Sequence, residues 1–246
     1  MLKIAQISDT HITPYGRFME NIYDRLISEV NAVEPDIVVH SGDVTDWGFL
    51  EDYKLARDAM KLIEAETIVI PGNHDSRNLG NLLFPRFFGK RYKCKGFEGF
   101  GIIALDTTVP DLDTGRLGRS GQRHLVRYLN RFDGSIRIVM IHHHLIPVPE
   151  AGRERNLIDD AGDVLKVITK KGAELVLMGH RHVPNVARVE NTILVNAGTL
   201  SSVKTRGYHG HSFNLISIAG RWIKVEIVKL LEGRITKRVV GNYKLT

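Results

Sequence analysis

Five short polar clusters, each behind an apolar stretch, contain the side chains of this sequence that could do chemistry. The clusters are Asp9-Thr10-His11, Gly42-Asp43-Val44-Thr45-Asp46, Gly72-Asn73-His74-Asp75, His142-His143-His144 and Gly179-His180-Arg181-His182. Two Asp, one Asn and four His from these clusters offer oxygen and imidazole donors without sulfur. That donor set suits divalent cations such as Mn, Fe, Zn, Ni or Co rather than a structural thiolate zinc site. The clusters therefore predict a metal site.

The number and spacing of these donors indicate more than one ion. Asp9 and His11 are two residues apart, as are His180 and His182, and side chains with that spacing point the same way on an extended chain. Seven donors are too many for one tetrahedral ion, but they suit two ions that share a carboxylate. Pairs of ions that share a carboxylate are typical of two-metal hydrolases, in which they activate water, so hydrolysis is the favoured chemistry.

Apolar strands must carry these clusters to one place. Residues 2–7, 37–39 and 68–70 have the apolar character of buried strands, and the apolar residues between them recur at helical spacing. This alternation predicts parallel strands covered by helices. In such sheets ligands bind beyond the carboxyl ends of the strands, which is where the clusters fall.

The rest of the chain continues the pattern. A helix capped by Ser120 and a helix that stops at Gly172 are predicted. Further strands are predicted over residues 100–105, 136–141, 175–178, 193–195, 213–218, 222–230 and 235–240.

The composition is that of a globular protein. Of 246 residues, 43% are hydrophobic and 25% are charged, which excludes a disordered or low-complexity chain. We expect a single domain over residues 1–246, in which strands from about residue 192 to 246 complete the second sheet.

Positive charge is concentrated in the second part of the chain. Residues 1–150 hold 18 Lys and Arg against 20 Asp and Glu, whereas residues 151–246 hold 16 against 8. A basic surface attracts phosphate-rich partners such as nucleic acid, although it is also typical of solvated strands. No basic groove interleaved with aromatic residues is evident in the sequence.

The cysteine content and the lengths of the apolar runs indicate the cellular location of the protein. Cys94 is the only cysteine, so no internal disulfide is possible and a reducing compartment is expected. Residues 1–7 are typical of a short strand rather than an export signal, and the apolar run 136–141 is far too short to span a bilayer. We expect a cytoplasmic protein without a membrane span.

In this order, the five clusters resemble the five motifs of the calcineurin-like metallophosphoesterases, over residues 9–182. The resemblance implies an α/β fold, namely a four-layer α/β/β/α sandwich with two mixed β-sheets. Within that family the sequence is similar to the class III cyclic-nucleotide and glycerophosphodiester phosphodiesterases, through Ala104-Leu105-Asp106, Gln122 and Gly198-Thr199.

The resemblance also implies a ligand set for two divalent metal ions. The first ion would be held by Asp9, His11 and His182, the second by Asn73, His142 and His180, with Asp43 bridging both. Within the histidine triplet, His142 is preferred because it comes first after the strand.

Two catalytic roles follow from the same resemblance. His74 matches the catalytic histidine of the family, and Asp46 matches the second carboxylate of the Gly-Asp-x-x-Asp motif, which orients that histidine. The protein-phosphatase branch has an arginine directly after this carboxylate. Trp47 occupies that position here, which argues against a phosphoprotein phosphatase.

Three further residues are candidates for contact with the substrate. His143 adjoins His142 and could face either the ligands or the substrate. Lys204 and Arg206 lie in a polar loop after the last motif, where basic side chains could bind phosphate or could equally be solvated.

The implied function is a binuclear metal-dependent phosphoesterase. A hydroxide bridging the two ions would attack phosphorus, and His74 would protonate the leaving alkoxide. Small phosphodiesters, either cyclic nucleotides or glycerophosphodiesters, are the favoured substrates. A nuclease or a phosphomonoesterase on the same site is the alternative. A catalytically silent scaffold is disfavoured because every ligand is present. The oligomeric state is open, and the C-terminal strands could pair across a homodimer, as they look able to in related enzymes.

Overall fold

Strands and helices alternate through most of the chain. The computed structural model describes residues 1–16, 18–152, 157–207 and 209–245. Its strands are β1 (Leu2–Ile7), β2 (Ile37–His40), β3 (Thr67–Val69), β4 (Lys93–Phe97), β5 (Phe100–Ala104), β6 (Ile136–Met140), β7 (Leu175–Met178), β8 (Asn185–Val189), β9 (Thr192–Asn196), β10 (His211–Ala219), β11 (Trp222–Leu231) and β12 (Arg234–Lys244). Its α-helices are α1 (Glu20–Ala32), α2 (Leu50–Met60), α3 (Gly80–Phe88), α4 (Gly118–Arg131) and α5 (Ala161–Lys171), and a 3-10 turn covers His74–Ser76.

The strands form two mixed sheets of six strands each. The first sheet has the order β12-β11-β10-β1-β2-β3 and the second has the order β4-β5-β6-β7-β9-β8. Strands β1, β2 and β3 are parallel, as are β5, β6, β7 and β9. Antiparallel strands flank both parallel cores. The carboxyl ends of the parallel strands therefore share one edge in each sheet.

Three apolar layers hold these elements together. One lies between the two sheets and includes Ile4, Ile138 and Ile216. A second packs α1 and α2 on the outer face of the first sheet, and a third packs α4 and α5 on the outer face of the second sheet. The result is helix, sheet, sheet, helix, which confirms the predicted four-layer α/β/β/α sandwich.

Three elements differ from the prediction because their sequences lack a clear apolar period. Helix α3 contains a proline, and strands β4 and β8 lie at the edges of the second sheet, where exposed and half-exposed positions hold Lys and Arg. An edge strand is covered on fewer sides, so its sequence carries less apolar signal.

The start of α4 and the placement of the C-terminal strands also differ from expectation. The helix begins at Gly118 rather than after Ser120. The Asp160 carboxylate accepts hydrogen bonds from the amides of Leu117 and Gly118, at 2.9 and 2.8 Å, and so a distant residue caps this helix. Strand β9 joins the second sheet as expected, but β10 to β12 extend the first sheet because β10 pairs with β1.

Within the described residues, no helix combines the length and apolar content needed to cross a membrane.

Candidate metal centre

The turns after the parallel strands hold their polar side chains in an unusual backbone conformation. Asp9, His11, Asp43, His180 and His182 all have positive φ angles, between 49° and 80°. For a residue other than glycine this conformation costs roughly 1–3 kcal/mol and persists only where surrounding contacts enforce it. Such strained residues are concentrated at functional sites, and here they follow β1, β2 and β7.

The first group of converging atoms comes from the turns after β1 and β7. The Nε2 atoms of His11 and His182 lie 3.0 Å apart, and His182 Nε2 lies 3.3 Å from Asp9 Oδ1. His11 Nδ1 donates to Asp46 Oδ1 at 3.0 Å, and His182 Nδ1 donates to the Lys204 carbonyl. Both Nε2 atoms are therefore lone-pair acceptors that face each other and a carboxylate. A cation fits such a group of acceptors.

The second group comes from the turns after β3, β6 and β7. His142 Nδ1 donates to the Ser41 carbonyl at 2.7 Å, which leaves Nε2 as an acceptor, 3.1 Å from Asn73 Oδ1. His180 Nδ1 lies 3.0 Å from the same oxygen. The amide nitrogen of Asn73 donates to Asp113 Oδ1 at 3.1 Å, so its oxygen is the atom that faces the histidines. Again, acceptor atoms converge.

Asp43 lies between the two groups. Its Oδ2 is 3.7 Å from His11 Nε2 and 3.4 Å from His142 Nε2. Its Oδ1 accepts the amide hydrogen of His74 at 2.8 Å. Gly72 makes this position possible, because a Cβ at that residue would lie 2.8 Å from the carboxylate carbon of Asp43. One carboxylate is thus shared by both groups, as in binuclear metal centres.

The electrostatics of the site favour added positive charge. Burial alone would raise the pKa of Asp43, but His142 and His74 hold it well below the usual carboxyl range. Burial would lower the pKa of His142, but the neighbouring Asp43 carboxylate raises it to about 9. Burial and the nearby His74 lower the pKa of His11 to about 4. Ionised carboxylates and neutral imidazoles bind divalent cations, so His142 would give up its proton when an ion binds beside Asp43.

Asp46 contacts two histidines at once. Its Oδ1 lies 3.0 Å from His11 Nδ1 and 3.1 Å from His74 Nδ1, and its carbonyl oxygen lies 2.6 Å from His74 Nδ1. With two acceptors beside it, Nδ1 of His74 is a protonated nitrogen. Burial would lower the pKa of His74, but Asp43 and Asp46 raise it above its ordinary value.

An open cavity of about 510 Å³ gives access to these groups. His11, Asp43, Asn73, His74, His180 and His182 form its floor, and Arg77, Asp113, Arg181, Lys204, Thr205 and Arg206 complete its lining. Four cationic side chains against one added carboxylate make the rim attractive to an anion. The volume is in the range of small-molecule sites.

The remaining candidates occupy different positions. Lys204 and Arg206 line the cavity, and the Lys204 carbonyl also accepts the hydrogen bond from His182. His143 is buried, with Nδ1 2.8 Å from Thr107 Oγ1, and does not line the cavity. His144 is also buried, with Nε2 2.8 Å from the Gly179 carbonyl.

Four cavity residues were not predicted from the sequence, namely Arg77, Asp113, Arg181 and Thr205. Arg77 Nη1 lies 3.2 Å from His74 Nδ1, and its Nη2 donates to Asp113 Oδ1 at 2.5 Å. The only sequence signal for Arg77 is its place three residues after His74. Asp113 gave no signal, because its contact with Asn73 joins positions 40 residues apart.

Two known proteins with similar sequences are named as probable phosphodiesterases. The probable glycerophosphodiester phosphodiesterase GpdQ of Arcobacter nitrofigilis is 29% identical over 222 residues, which cover 80% of this chain and 78% of that protein. A probable cyclic nucleotide phosphodiesterase of Coxiella burnetii is 25% identical over 188 residues, covering 74% of this chain and 76% of that protein.

Solved structures and a family model complete the comparison. The purple acid phosphatase PPD1 of yellow lupin superposes with a TM-score of 0.74 at 15% identity, over 96% of this chain, which spans about half (52%) of that longer chain. GAP50 of Plasmodium superposes with a TM-score of 0.72 at 12% identity, over 99% of this chain and 88% of that one. These likenesses concern the fold. The sequence model for calcineurin-like phosphoesterases matches residues 2–184, which include all five clusters, and so the chain belongs to that family.

Proposed function

We propose that this chain hydrolyses small phosphodiesters, either cyclic nucleotides or glycerophosphodiesters, at a binuclear metal centre. The observation that carries the proposal is the pair of acceptor groups that share Asp43 beneath a cationic rim. The converging acceptor atoms suit a cation, and the cationic rim suits an anion. The names of the similar proteins support phosphodiesters as the substrate class.

The proposal assigns each acceptor to an ion. Asp9, His11 and His182 would hold the first ion, Asn73, His142 and His180 the second, and Asp43 both. When bound, two divalent cations supply activation of water near neutral pH and neutralisation of charge on phosphate. The donors are oxygen and imidazole, so Mn, Fe, Zn, Ni and Co all suit the centre.

His74 would be the general acid. Its Nδ1 is occupied by Asp46, so Nε2 is the nitrogen available to give a proton to the leaving alkoxide as the phosphorus–oxygen bond breaks. Asp43 and Asp46 raise the pKa of His74, which favours the protonated ring that a general acid needs. Asp46 would position the ring rather than take part in proton transfer.

The rim would hold the phosphate and select its charge. Arg77, Lys204 and Arg206 line the cavity, where their positive charge would offset that of phosphate oxygens. Asp113 adds a negative charge close to Asn73, which disfavours a dianionic monoester more than a monoanionic diester.

We also propose a cytoplasmic location, which the absence of any cysteine besides Cys94 supports.

The test is a substrate panel with each candidate metal. Metal-free protein is mixed with Mn²⁺, Fe²⁺, Zn²⁺, Ni²⁺ or Co²⁺ and assayed on bis(p-nitrophenyl) phosphate, on 2′,3′- and 3′,5′-cyclic nucleotides, on glycerophosphodiesters and on p-nitrophenyl phosphate. We expect turnover that depends on metal and a kcat/KM for diesters above that for the monoester. His74→Asn should lower kcat by about 10²- to 10⁴-fold, whereas His209→Asn, outside the cavity lining, should not.

Three results would contradict the proposal. Equal turnover with and without divalent metal would exclude the metal centre. A kcat/KM for the monoester above every diester would exclude the substrate class. Full activity of His74→Asn with all substrates would exclude the general acid.

A further inference from the structure

A second groove lies outside the cavity, between the start of β4 and helix α4. It has a volume of about 510 Å³ and is lined by Lys90, Tyr92, Lys93, Cys94, Arg127, Tyr128 and Arg131. None of these residues lines the metal-centre cavity. Four of the seven are cationic and two are aromatic, and none is acidic. A groove with this composition would repel a cation and attract an anion.

Helix α4 extends the positive charge beyond the groove. Arg119, Arg123, Arg127 and Arg131 are spaced four residues apart, and all four are exposed. Each of these residues lies beside the next on the helix surface, with a rise of about 6 Å and a turn of about 40° between neighbours. Residues 114–132 contain no Asp or Glu, and neither do residues 76–97, which supply the other wall. The groove therefore continues as an arginine stripe along α4.

The described carboxylates do not neutralise the arginines of the stripe. In the described part of the chain, the ion pairs of arginines with carboxylates involve Arg57, Arg77, Arg91 and Arg137 rather than the stripe. Lys93 donates to the Phe88 carbonyl at 3.0 Å, and burial lowers the pKa of Lys93 to about 8 with no carboxylate to oppose it. A row of like charges without counter-charges is unfavourable unless an anion offsets it.

Aromatic rings lie between the charges. The rings of Tyr92 and His124 are stacked with centroids 5.1 Å apart, and His124 lies 5.6 Å from the Tyr128 ring. The Arg127 guanidinium lies 5.0 Å from the Tyr128 ring centre. Cationic side chains with interleaved aromatic rings are what single-stranded nucleic acid needs, because unpaired bases stack on rings while phosphates meet the charges.

A membrane surface is the other polyanion that a basic helix could meet, and the apolar content argues against it. Interfacial helices bind lipid through exposed large apolar side chains. The exposed large apolar residues of the described chain include none from α4 or from residues 90–97. The face beside the arginine stripe therefore offers rings and charges but no apolar anchor.

We propose that the groove and the arginine stripe of α4 bind single-stranded nucleic acid, at a site separate from the metal centre. The wall of the groove is joined to the catalytic turn. Arg91, between Lys90 and Tyr92, donates to Ser76 Oγ at 2.5 Å and to Asp106 Oδ2 at 2.7 Å. A strand bound in the groove would lie against the segment that supports the turn carrying His74. The proposal does not depend on which diester the metal centre hydrolyses.

The test measures binding directly, at several salt concentrations. Fluorescence anisotropy of a labelled single-stranded 12-mer, as RNA and as DNA, is followed with the full-length protein and with Arg123→Gln/Arg127→Gln. The matched control is Lys166→Gln/Lys170→Gln, which removes two exposed charges at the same spacing from α5. We expect the α4 variant to bind about tenfold or more weakly at 0.15 M salt, with a slope of log K against log salt that is smaller by about 1.4.

A second variant separates stacking from charge. Tyr128→Leu keeps an apolar side chain against the core but removes the ring, and should weaken binding by roughly tenfold without changing the salt slope. Turnover of a small diester should stay unchanged in all of these variants, so a failure of this proposal is distinguishable from a failure of the proposed function.

Four outcomes would overturn the proposal. They are no binding of either oligonucleotide at low salt, equal loss in the α4 and α5 variants, tighter binding of duplex than of single strands, and binding to phosphatidylserine vesicles but not to oligonucleotides.

Discussion

Asp46 contacts both a proposed metal ligand and the proposed general acid. One carboxylate oxygen contacts a nitrogen of His11, a proposed ligand, and a nitrogen of His74, the proposed acid. By accepting from His11 Nδ1 it would direct the lone pair of Nε2 toward the proposed ion, as carboxylates behind metal-binding histidines do. Its loss should therefore affect metal affinity and the acid together.

We predict that Asp46→Asn lowers both metal affinity and kcat by about 10- to 100-fold, because it removes the negative charge that both rings share. The measurements are Mn²⁺ titration by calorimetry and kcat at saturating metal. Asp52→Asn serves as the control. Asp52 is also buried, but its carboxylate contacts the Thr13 hydroxyl and backbone amides rather than a histidine. Unchanged affinity and kcat in Asp46→Asn would contradict the prediction.

Arg77 and Asp113 act at the rim. Arg77 is the rim cation within 3.2 Å of His74, and Asp113 holds it there. We predict that Arg77→Met raises KM by about tenfold while kcat changes less, since a charge-assisted contact to a diester is lost in both ground and transition states. Arg77→Lys should recover part of the loss.

The control for Arg77 is Arg57→Met. Arg57 also pairs with an aspartate, Asp58, but lies on α2 away from the cavity. A KM that rises equally in both variants would show that overall charge rather than the rim contact is responsible.

At the scale of elements, the strand ends support the site through buried polar groups beneath it. His40, the last residue of β2, is fully buried, with Nε2 3.0 Å from Thr10 Oγ1, and its Nδ1 accepts the Gly42 amide hydrogen at 3.3 Å. It ties together the turns after β1 and β2, which carry Asp9 and Asp43. Burial lowers the pKa of His40 from 6.5 to about 3.

The lowered pKa of His40 makes stability depend on pH in a defined direction. Between its folded pKa of about 3 and its unfolded value of 6.5, the unfolded chain binds a proton that the folded chain does not. The contribution is complete above pH 6.5 and is lost as pH falls through this window. We predict that the slope of unfolding free energy against pH is smaller by about 1.4 kcal/mol per unit in His40→Gln, between about pH 4 and 6.

Denaturant unfolding at a series of pH values measures that slope. The control is His209→Gln, because His209 contacts Glu150 at the surface rather than lying beneath the site. Equal slopes for wild type and His40→Gln would show that His40 is protonated in the folded protein.

At the scale of the whole molecule, the site joins the two sheets. Asp9 and Asp43 follow strands of the first sheet, whereas His142, His180 and His182 follow strands of the second. A bound cation would link side chains from both sheets, in addition to the apolar layer between them. Because a ligand that binds only the folded state stabilises it by mass action, the metals should stabilise the sandwich.

We predict that chelation lowers the melting temperature and that Mn²⁺ restores it. At a free metal concentration of 100 times Kd, the expected gain is about 2.7 kcal/mol per independent site. Scanning calorimetry of apo and Mn²⁺-loaded protein measures this. Asp43→Asn should lose most of the shift, since it contacts both groups, and identical melting temperatures with and without metal would contradict the prediction.

The sequence alone determined the parallel strands, the five clusters and the edge at which they meet. Each depends on local information: an apolar run long enough for a buried strand, followed by glycine and polar residues that suit a turn. The clusters meet because parallel strands share a direction. The five positive φ angles could not be deduced in this way, since contacts from other elements enforce them.

The tertiary structure alone decided which partners surround the clusters. Asp113 reaches Asn73 across 40 residues, the Lys204 carbonyl reaches His182 across 22, and Asp160 caps α4 from 42 residues away. Likewise, residues 90–93 and α4 form one groove only because α4 packs on the sheet that β4 borders. Loop conformation and the packing of helices on sheets depend on contacts between distant segments, for which a local pattern of residue types carries no signal.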